Sequence, residues 1–337
     1  MPGFLKKVDP LVLGIVVAVL IAFILPARGT FADIFDVLTK LAIALLFFLY
    51  GARLSTQEAL RGLTNWRLHL TILVFTFVVY PLIGLAMRPT ADFVSPELYQ
   101  GILFLTLVPS TVQSSVALTG IARGNVPGAV VAASMSSLLG VIITPLLVML
   151  LMGAGDGVHI DGAVFGDIAL QLLLPFVLGQ LAYNFAPPLR EMAKSKATKI
   201  VDRGSIWMVV YAAFSKGMVA GVWSAISGWS IAFLIAFAAA LVMVMLWATR
   251  FFSKRLGFSD ADIVAIQMCG TQKSLATGLP MASVIFGGDT LGILIIPLMI
   301  YHLTQLVICS TYVSRIAAMH QEGGVGAGAP ARTTTKR

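Results

Sequence analysis

Two polar phrases interrupt the hydrophobic sequence of this chain: T-V-Q-S-S-V-A-L-T-G at 111–120 and T-Q-K-S-L-A-T-G at 271–278. Aligned with single-residue gaps, the phrases share Thr, Gln, Ser, Ala, Thr and Gly in the same order. Each lies within a long apolar run, where polar side chains are costly. Hydrophobic segments interrupted at corresponding places in two halves of a chain are typical of the midplane binding site of a secondary transporter.

The composition predicts an all-α integral membrane protein. Of the 337 residues, 58% are hydrophobic and 11% are charged, whereas a soluble domain has about 25% charged residues. A spanning helix needs roughly 20 apolar residues, and ten segments satisfy that length. The predicted helices 1 to 10 are 11–27, 33–53, 68–88, 98–122, 126–152, 163–185, 203–223, 228–250, 262–286 and 290–315.

The basic residues predict the orientation in the membrane. The net charge is +8, but its distribution argues against nucleic-acid binding. With the N-terminus in the cytoplasm, the outer segments keep only Arg28 and Arg88, while most of the other Lys and Arg residues fall on the cytoplasmic side. This pattern predicts a multi-pass protein of the bacterial inner membrane with both termini cytoplasmic. The run Arg190–Arg203 is interpreted as a solvated cytoplasmic loop.

The two chain ends and the two cysteines give further expectations. Lys6-Lys7 before an apolar run resembles a signal peptide, but its removal would leave nine helices, so this run is assigned to helix 1. The Gly/Ala/Thr-rich segment 318–337 is predicted to be a disordered tail. Cys269 and Cys309 fall inside predicted helices, which indicates no disulfide framework.

The repeat extends beyond the two phrases. Tyr50 and Tyr211 match, as do Pro145 and Pro297, in the same order and at similar offsets. Five helices per repeat is an odd number, so the second repeat must enter the membrane from the opposite side. The sequence therefore predicts two inverted five-helix repeats.

Helices 4 and 9 are predicted to be broken and to cross. The breaks are placed near Pro109-Ser110 and Gly270-Thr271. A break frees backbone groups, so it persists only where protein or a wet cavity surrounds it. The half-helix N-termini would then favour an anion, and the opposite carbonyl ends a cation.

The polar residues of the two phrases are the candidate binding residues. Ser, Thr and Gln often hydrogen-bond between membrane helices, so helix packing is the alternative for each of them. The clustered, repeated Gln-x-Ser pattern favours binding. The candidates are Gln113, Ser114, Ser115, Thr119, Thr271, Gln272, Lys273, Ser274 and, later in the chain, His302.

Lys273 and His302 are the two candidates that can carry charge. A Lys at a helix centre costs about 2.5–3.5 kcal/mol, and no Asp or Glu of the chain falls at mid-depth. Lys273 therefore needs backbone carbonyls, a bound anion or loss of its proton, and its charged form is expected to be held by half-helix carbonyls and the Gln113 and Gln272 amides. A structural Lys that caps carbonyls is the alternative to a functional one.

His302 forms a polar patch with Tyr301 and Gln305 late in helix 10, and it could protonate during a cycle or be a packed hydrogen bonder. Lys40 and Lys216 are expected to snorkel or to line a crevice. No enzyme, nucleotide or metal-ligand motif is present, so no cofactor is expected.

At these residues the chain resembles a known family. P-S-T-V-Q-S-S-V-A-L-T-G-I-A-R-G-N at 109–125 and G-T-Q-K-S-L-A-T-G-L-P at 270–280 are similar to the bile acid:sodium symporter family (solute carrier family 10), and the second to its member-7-like subgroup. The resemblance implies a panel domain (8–55, helices 1–2, and 163–223, helices 6–7). It also implies a core domain (66–152, helices 3–5, and 228–317, helices 8–10), with a crevice between the two for an organic anion.

The resemblance also implies sodium sites beside the crossing, from which this sequence departs. The family's Ser-Asn after the first break is Ser114-Ser115, and its helix 9 Glu falls near Met268. Only Gln272 stands where a second-site ligand is expected, with Lys273 in place of a neutral Asn. The positions of the helix 5 ligands are Ala129 and Ala133. A fixed charge repels sodium strongly at low dielectric, so these departures weigh against two-sodium coupling.

The sequence predicts a secondary active transporter of a small or amphipathic organic anion, with Lys273 in place of a coupling sodium. Two alternatives remain. One is a symporter that keeps a sodium site at Ser114, Ser115 and Gln272; the other is a non-transporting membrane regulator of the same fold. The expected partners are the lipid bilayer, the anion and a sodium ion or proton.

Overall fold

A computed structural model describes residues 10–53, 65–152, 166–185, 195–221, 223, 226–289 and 291–325. Within these ranges the regular structure is entirely helical. Five helices there are long and apolar enough to cross a membrane, which confirms the prediction of an all-α membrane protein. These spans are Trp66–Ala86, Val126–Met152, Gly166–Tyr183, Gly228–Arg255 and Leu291–Ala318.

The helices are numbered in chain order. Trp66–Ala86 contains a π-helical turn at Phe75–Val79, and Leu174–Phe185 follows a π-helical turn at Ala169–Leu173. The elements are α1 (Pro10–Ile24), α2 (Gly29–Arg53), α3 (Trp66–Ala86), α4 (Pro96–Leu107), α5 (Gln113–Ile121), α6 (Val126–Met152), α7 (Leu174–Phe185), α8 (Lys196–Ala220), α9 (Gly228–Arg255), α10 (Asp260–Thr271), α11 (Leu275–Ile285) and α12 (Leu291–Val325).

Both predicted breaks are present. Predicted helix 4 consists of α4 and α5, because the backbone becomes extended at Val108. Predicted helix 9 consists of α10 and α11, separated by the extended residues Gln272 and Ser274. The second break begins directly after the predicted Gly270-Thr271 step. Gly270 itself is helical, and its bare Cα allows close packing, since a Cβ there would lie 3.1 Å from the Thr249 methyl group.

Two further boundaries differ from the predictions. The helix α12 continues to Val325, so 318–325 are helical rather than disordered, and the rest of the predicted tail lies outside the described residues. The helix α8 already begins at Lys196, so the end of the Arg190–Arg203 run is helical, while 190–194 lie outside the described residues. The charges of this run therefore do not mark a loop throughout.

The helices pack as two groups. One group consists of α1, α2, α7 and α8, with α7 along α2 and α1 along α8. The other contains α3 to α6 and α9 to α12, and α8 contacts it through α11 and α12. Within the four-helix group, Gly51 and Gly179 let α2 and α7 touch backbone to backbone. A Cβ on Gly51 would lie 2.1 Å from the Phe176 carbonyl oxygen, and one on Gly179 2.0 Å from that of Phe48.

Candidate functional site

The two helix breaks are joined directly by hydrogen bonds. The Ser274 N–H donates to the Pro109 carbonyl oxygen at 2.8 Å. The Ser110 hydroxyl donates to the Cys269 carbonyl oxygen at 2.6 Å. Backbone groups that each break frees are thus satisfied by the other break, as the absence of water in a bilayer requires. We call this contact between the two breaks the junction. Two further hydroxyls extend it: Ser115 donates to the Met268 carbonyl oxygen, and Ser114 donates to the Gln272 amide oxygen.

Lys273 lies inside this junction and is fully buried. Its ammonium donates to three backbone carbonyl oxygens, those of Thr106 and Val108 at 2.8 Å and that of Thr76 at 2.9 Å. An ammonium has three N–H donors and no acceptor, so these contacts use its hydrogen-bonding capacity completely. Its Nζ also lies 4.1 Å from the centre of the Tyr80 ring, a cation–π distance. The sequence left three possibilities for Lys273: backbone carbonyls, a bound anion or loss of its proton. In the described structure, backbone carbonyls surround it.

Each of the three carbonyls is free for a local reason. Thr106 and Val108 lie at the end of α4, where the last carbonyls of a helix have no intrahelical donor. Thr76 lies in the π-helical turn, where the Tyr80 N–H bonds to Phe75. The next π-type donor would be residue 81, and Pro81 has no N–H. The carbonyl cage of Lys273 therefore consists of oxygens that a helix end and a proline leave unpaired.

Gln305 holds the Lys273 backbone in the break. Its side-chain oxygen accepts from the Lys273 N–H at 2.8 Å, and its side-chain nitrogen donates to the Lys273 carbonyl oxygen at 2.9 Å. The Gln305 nitrogen also lies 3.0 Å from His302 Nδ1. This bidentate contact replaces the helix hydrogen bonds that an extended segment loses. The Gln113 and Gln272 amides, which were expected to hold the ammonium, are not among its described partners.

A tyrosine pair closes the end of α10. The hydroxyls of Tyr80 and Tyr301 both donate to the Thr271 carbonyl oxygen and lie against each other. Both side chains are fully buried. The sequence singled out Tyr301 only as a neighbour of His302, and it missed Tyr80 and Thr76. The one available signal was the Tyr-Pro step at 80–81, because a proline inside an apolar run frees a carbonyl one turn earlier.

A cavity of about 300 Å³ lies between the two helix groups. The four-helix group supplies part of its wall, and the first turns of α5 and α11 supply another part. The Pro109–Ser274 junction lies behind this second wall. The lining residues are Leu11, Tyr50, Thr111, Val112, Gln113, Ser114, Ser134, Ser137, Leu138, Val141, Phe176, Asp202, Arg203, Ile206, Ser274, Ala276, Thr277, His302 and Leu306.

The predicted site residues therefore divide into two sets. Gln113, Ser114, Ser274 and His302 line the cavity. The others, Ser115, Thr119, Thr271, Gln272 and Lys273, are buried in or beside the junction and do not line it. Thr119 is bonded within its own helix, to the Ser115 carbonyl oxygen. The first set can touch a solute, whereas the second can act on it only through the position of the half-helices.

The predicted sodium ligands Ser114, Ser115 and Gln272 are hydrogen-bonded within the protein. The Ser114 hydroxyl donates to Gln272, and the Ser115 hydroxyl donates to the Met268 carbonyl oxygen. Ala129, Ala133 and Met268, which stand at the positions of further family ligands, are fully buried and bring no side-chain oxygen. No cluster of three or more His, Cys, Asp or Glu residues is found in the part of the chain that the structure describes. These residues do not fit a pair of sodium sites.

The structure also gives the positions of two other basic residues that the sequence singled out. Lys216 forms an ion pair with Asp36 between α8 and α2, away from the cavity. Arg203, expected in a solvated loop, lies on α8, is half-buried and lines the cavity. Sequence reasoning missed Arg203 because a run of charges gives no sign of which member faces inward.

Comparison with known proteins shows the family of the chain. The sequence profile of the SBF-like CPA transporter family matches residues 9–318. The uncharacterized protein PA2026 of Pseudomonas aeruginosa is 45% identical, and the alignment covers 98% of this chain and 99% of that protein. YfeH of Escherichia coli is 42% identical over 92% and 93% of the two chains. Sodium/bile acid cotransporter 7 of Xenopus tropicalis is 30% identical over 83% and 82%. The chain is thus a member of the SBF-like CPA transporter family, a family of membrane transporters.

Proposed function

We propose that this protein is a secondary active transporter that moves an organic anion by alternating access. The observation that carries the proposal is the cavity between the two helix groups, into which the first turns of α5 and α11 open together. A helix N-terminus favours anions through its free N–H groups and its dipole. Two such ends in one cavity between separately packed groups are suited to bind an anion and to release it when one group moves.

The proposed architecture has ten spans in two inverted repeats. The four-helix group corresponds to the panel domain of 8–55 and 163–223, and the other group to the core domain of 66–152 and 228–317. Support comes from the two breaks, which follow the repeated phrases and contact each other. Support also comes from the limited contact of α8 with α11 and α12, since a rocking motion needs such a boundary. Both termini are placed in the cytoplasm of a bacterial cell.

Lys273 is proposed to act as a built-in cation. Its ammonium lies among carbonyl oxygens at the end of a half-helix, which is where this architecture can hold a cation. A buried charge is tolerated only when it is fully hydrogen-bonded, and the three carbonyls meet that condition. The protein would then keep its junction folded without a bound sodium ion, and transport would not depend on a sodium gradient.

Two other functions remain as alternatives. A sodium-coupled symporter would use the Ser114, Ser115 and Gln272 oxygens, and the name of the Xenopus relative, sodium/bile acid cotransporter 7, is the reason to keep it. A membrane regulator of the same fold would bind a solute without moving it. A proton could also couple to transport through His302, which lines the cavity.

Flux in proteoliposomes separates these functions. Purified protein would be tested for uptake of taurocholate and of phenylacetate under a sodium gradient, under a potassium gradient and under a pH gradient. Uptake of either anion that is the same in sodium and potassium is the expected result. Uptake that rises steeply with sodium would support the symporter, and protein-dependent binding without any flux would support the regulator.

A further inference from the structure

We propose that Arg203 anchors the acidic group of the transported solute, so that the solute is an anion held between both helix groups. The size of the cavity limits this anion to a small one. This inference rests on the proposed transport function and narrows its substrate class. It assigns a specific binding role to a side chain of the four-helix group, opposite the two half-helix ends.

The surroundings of Arg203 leave its guanidinium available to a solute. The side chain lines the cavity from α8, and among the described residues no hydrogen bond or ion pair holds it. The other ionisable lining residues are Asp202 beside it, His302 on α12 and Tyr50 on α2. Arg203 is therefore the one fixed positive charge on the described cavity wall.

The chemistry of the guanidinium favours an anionic group. It presents five donors in a planar fork, which matches a carboxylate or phosphate with two parallel hydrogen bonds. In a cleft with low-dielectric walls, the field of one charge is focused into the opening. The first turns of α5 and α11 on the other wall are also favourable to negative charge. An anion between these walls meets favourable groups on both sides, and the Asp202 carboxylate beside Arg203 already has an interaction within the protein.

The size and lining of the cavity limit the rest of the solute. A volume of about 300 Å³ lies at the lower end of the roughly 300–1,000 Å³ range of ligand pockets. Apolar side chains, among them Val141, Phe176 and Ile206, line the space beside the polar ends. A compact carboxylate with a short apolar body fits this combination, whereas a steroid-sized anion would need a larger opening.

The effect of the Arg203 charge on an anion in the cavity can be measured with an engineered cysteine and charged thiol reagents, without knowing the substrate. Both native cysteines are free and buried, so Ser134→Cys, on the cavity wall, is the accessible thiol. Its reaction rate would be measured with an anionic sulfonatoethyl and with a cationic trimethylammonium-ethyl methanethiosulfonate. Arg203→Gln should lower the anion-to-cation rate ratio roughly tenfold, because the focused field is lost. Arg203→Lys should retain most of the ratio.

A matched control is Arg255→Gln, since Arg255 is exposed and stacks on Phe251 outside the cavity. It should leave the ratio unchanged. Both variants should elute from size exclusion like the parent protein. If Arg203→Gln then changes the rate ratio no more than Arg255→Gln does, the anchor is refuted.

A second measurement separates the anchor from the transport function. Phenylacetate should protect the Ser134→Cys thiol, phenylacetamide should not, and Arg203→Gln should abolish the protection. Equal protection by the acid and the amide would refute the anchor even if anion flux is observed. Arg203-dependent protection without flux of any tested anion in proteoliposomes would instead refute transport and leave the anchor standing.

Discussion

The backbone N–H of Ser274 and the carbonyl oxygen of Pro109 form a 2.8 Å hydrogen bond between the two interrupted helices. These residues are far apart in sequence, and each lies in or next to an extended segment. The bond fixes one break against the other without any side chain. The half-helices α5 and α11, whose first turns form one cavity wall, are therefore fixed to each other through the segments that precede them.

Replacement of Lys273 by alanine should destabilise the junction. Lys273→Ala removes the donor of three buried carbonyls, and each unsatisfied group costs about 1–3 kcal/mol. The purified variant should melt at a lower temperature, and millimolar methylammonium should restore part of the loss by entering the cage. The control is Lys40→Ala, at an exposed position on α2. It should alter neither the melting temperature nor the response to methylammonium. Rescue by sodium in place of methylammonium would argue for an ordinary ion site.

Lys273→Gln tests the built-in cation in flux. The amide keeps polarity but not charge, so anion uptake should be lost or its pH dependence changed while the fold remains intact. Lys273→Met, which also removes polarity, should insert readily and transport nothing. Wild-type uptake by Lys273→Gln together with a steep sodium dependence would refute the built-in cation and favour the sodium symporter.

The Tyr80–Tyr301 pair should contribute to stability as one unit. Tyr80→Phe keeps the ring beside the Lys273 ammonium but removes the hydrogen bond to the Thr271 carbonyl oxygen and the contact with the Tyr301 hydroxyl. The free energy of unfolding should therefore fall by roughly 1 kcal/mol. Tyr80→Leu should cost more, because it also removes a cation–π contact worth about 0.5–2 kcal/mol. The double variant Tyr80→Phe/Tyr301→Phe should cost less than the sum of the single variants. Strict additivity in a denaturant titration would show that the pair is not coupled.

Close backbone packing in the four-helix group should make two glycines intolerant of a methyl group. Gly51→Ala and Gly179→Ala would bring Cβ atoms to about 2 Å from the carbonyls of Phe176 and Phe48, and overpacking of this kind costs roughly 1–3 kcal/mol. Gly204→Ala on α8 meets nothing within 4 Å, and it should be neutral or slightly stabilising because alanine loses less entropy in a helix. Equal melting temperatures for all three variants would contradict this packing.

The topology predicts opposite labelling at two engineered cysteines. Val325→Cys, at the end of α12, should resist a membrane-impermeant maleimide in intact cells and react after permeabilisation. Phe93→Cys should react in intact cells, because Phe93 is 71% exposed and lies in the segment assigned to the outer side. Efficient labelling of Val325→Cys in intact cells would refute the cytoplasmic terminus and, with it, the inverted repeat.

The sequence revealed the two breaks because a polar phrase is costly inside an apolar run unless the helix is interrupted there. It also identified Lys273, since a mid-helix ammonium without a nearby carboxylate requires an unusual environment. It did not reveal which groups supply that environment. The π-helical turn and Pro81 free the Thr76 carbonyl, but only the packing of α3 against the end of α4 brings it beside the carbonyls of Thr106 and Val108. This meeting of two elements belongs to the tertiary packing and leaves no local pattern.

The same limit explains Arg203 and Gln305. One charge in a basic run looks ordinary along the chain, and the polar patch around His302 does not reveal what Gln305 binds. Only the approach of α8 and α12 to the breaks gives both residues their positions. The small offset of the second break has a simpler cause. Glycine signals both a helix end and close helix packing, and Gly270 serves the packing role.

The carbonyl cage around Lys273 has a kinetic consequence for a transport cycle. A diffusible ion leaves its site in one conformation and must return before the next turnover, which ties the carrier to an ion gradient. The Lys273 ammonium is covalently attached and cannot dissociate into either compartment. In the proposed cycle the empty carrier has its cation in place at every step, and its return does not wait for a sodium ion to bind. Through this site, a sodium gradient would then have no means of performing work on the solute.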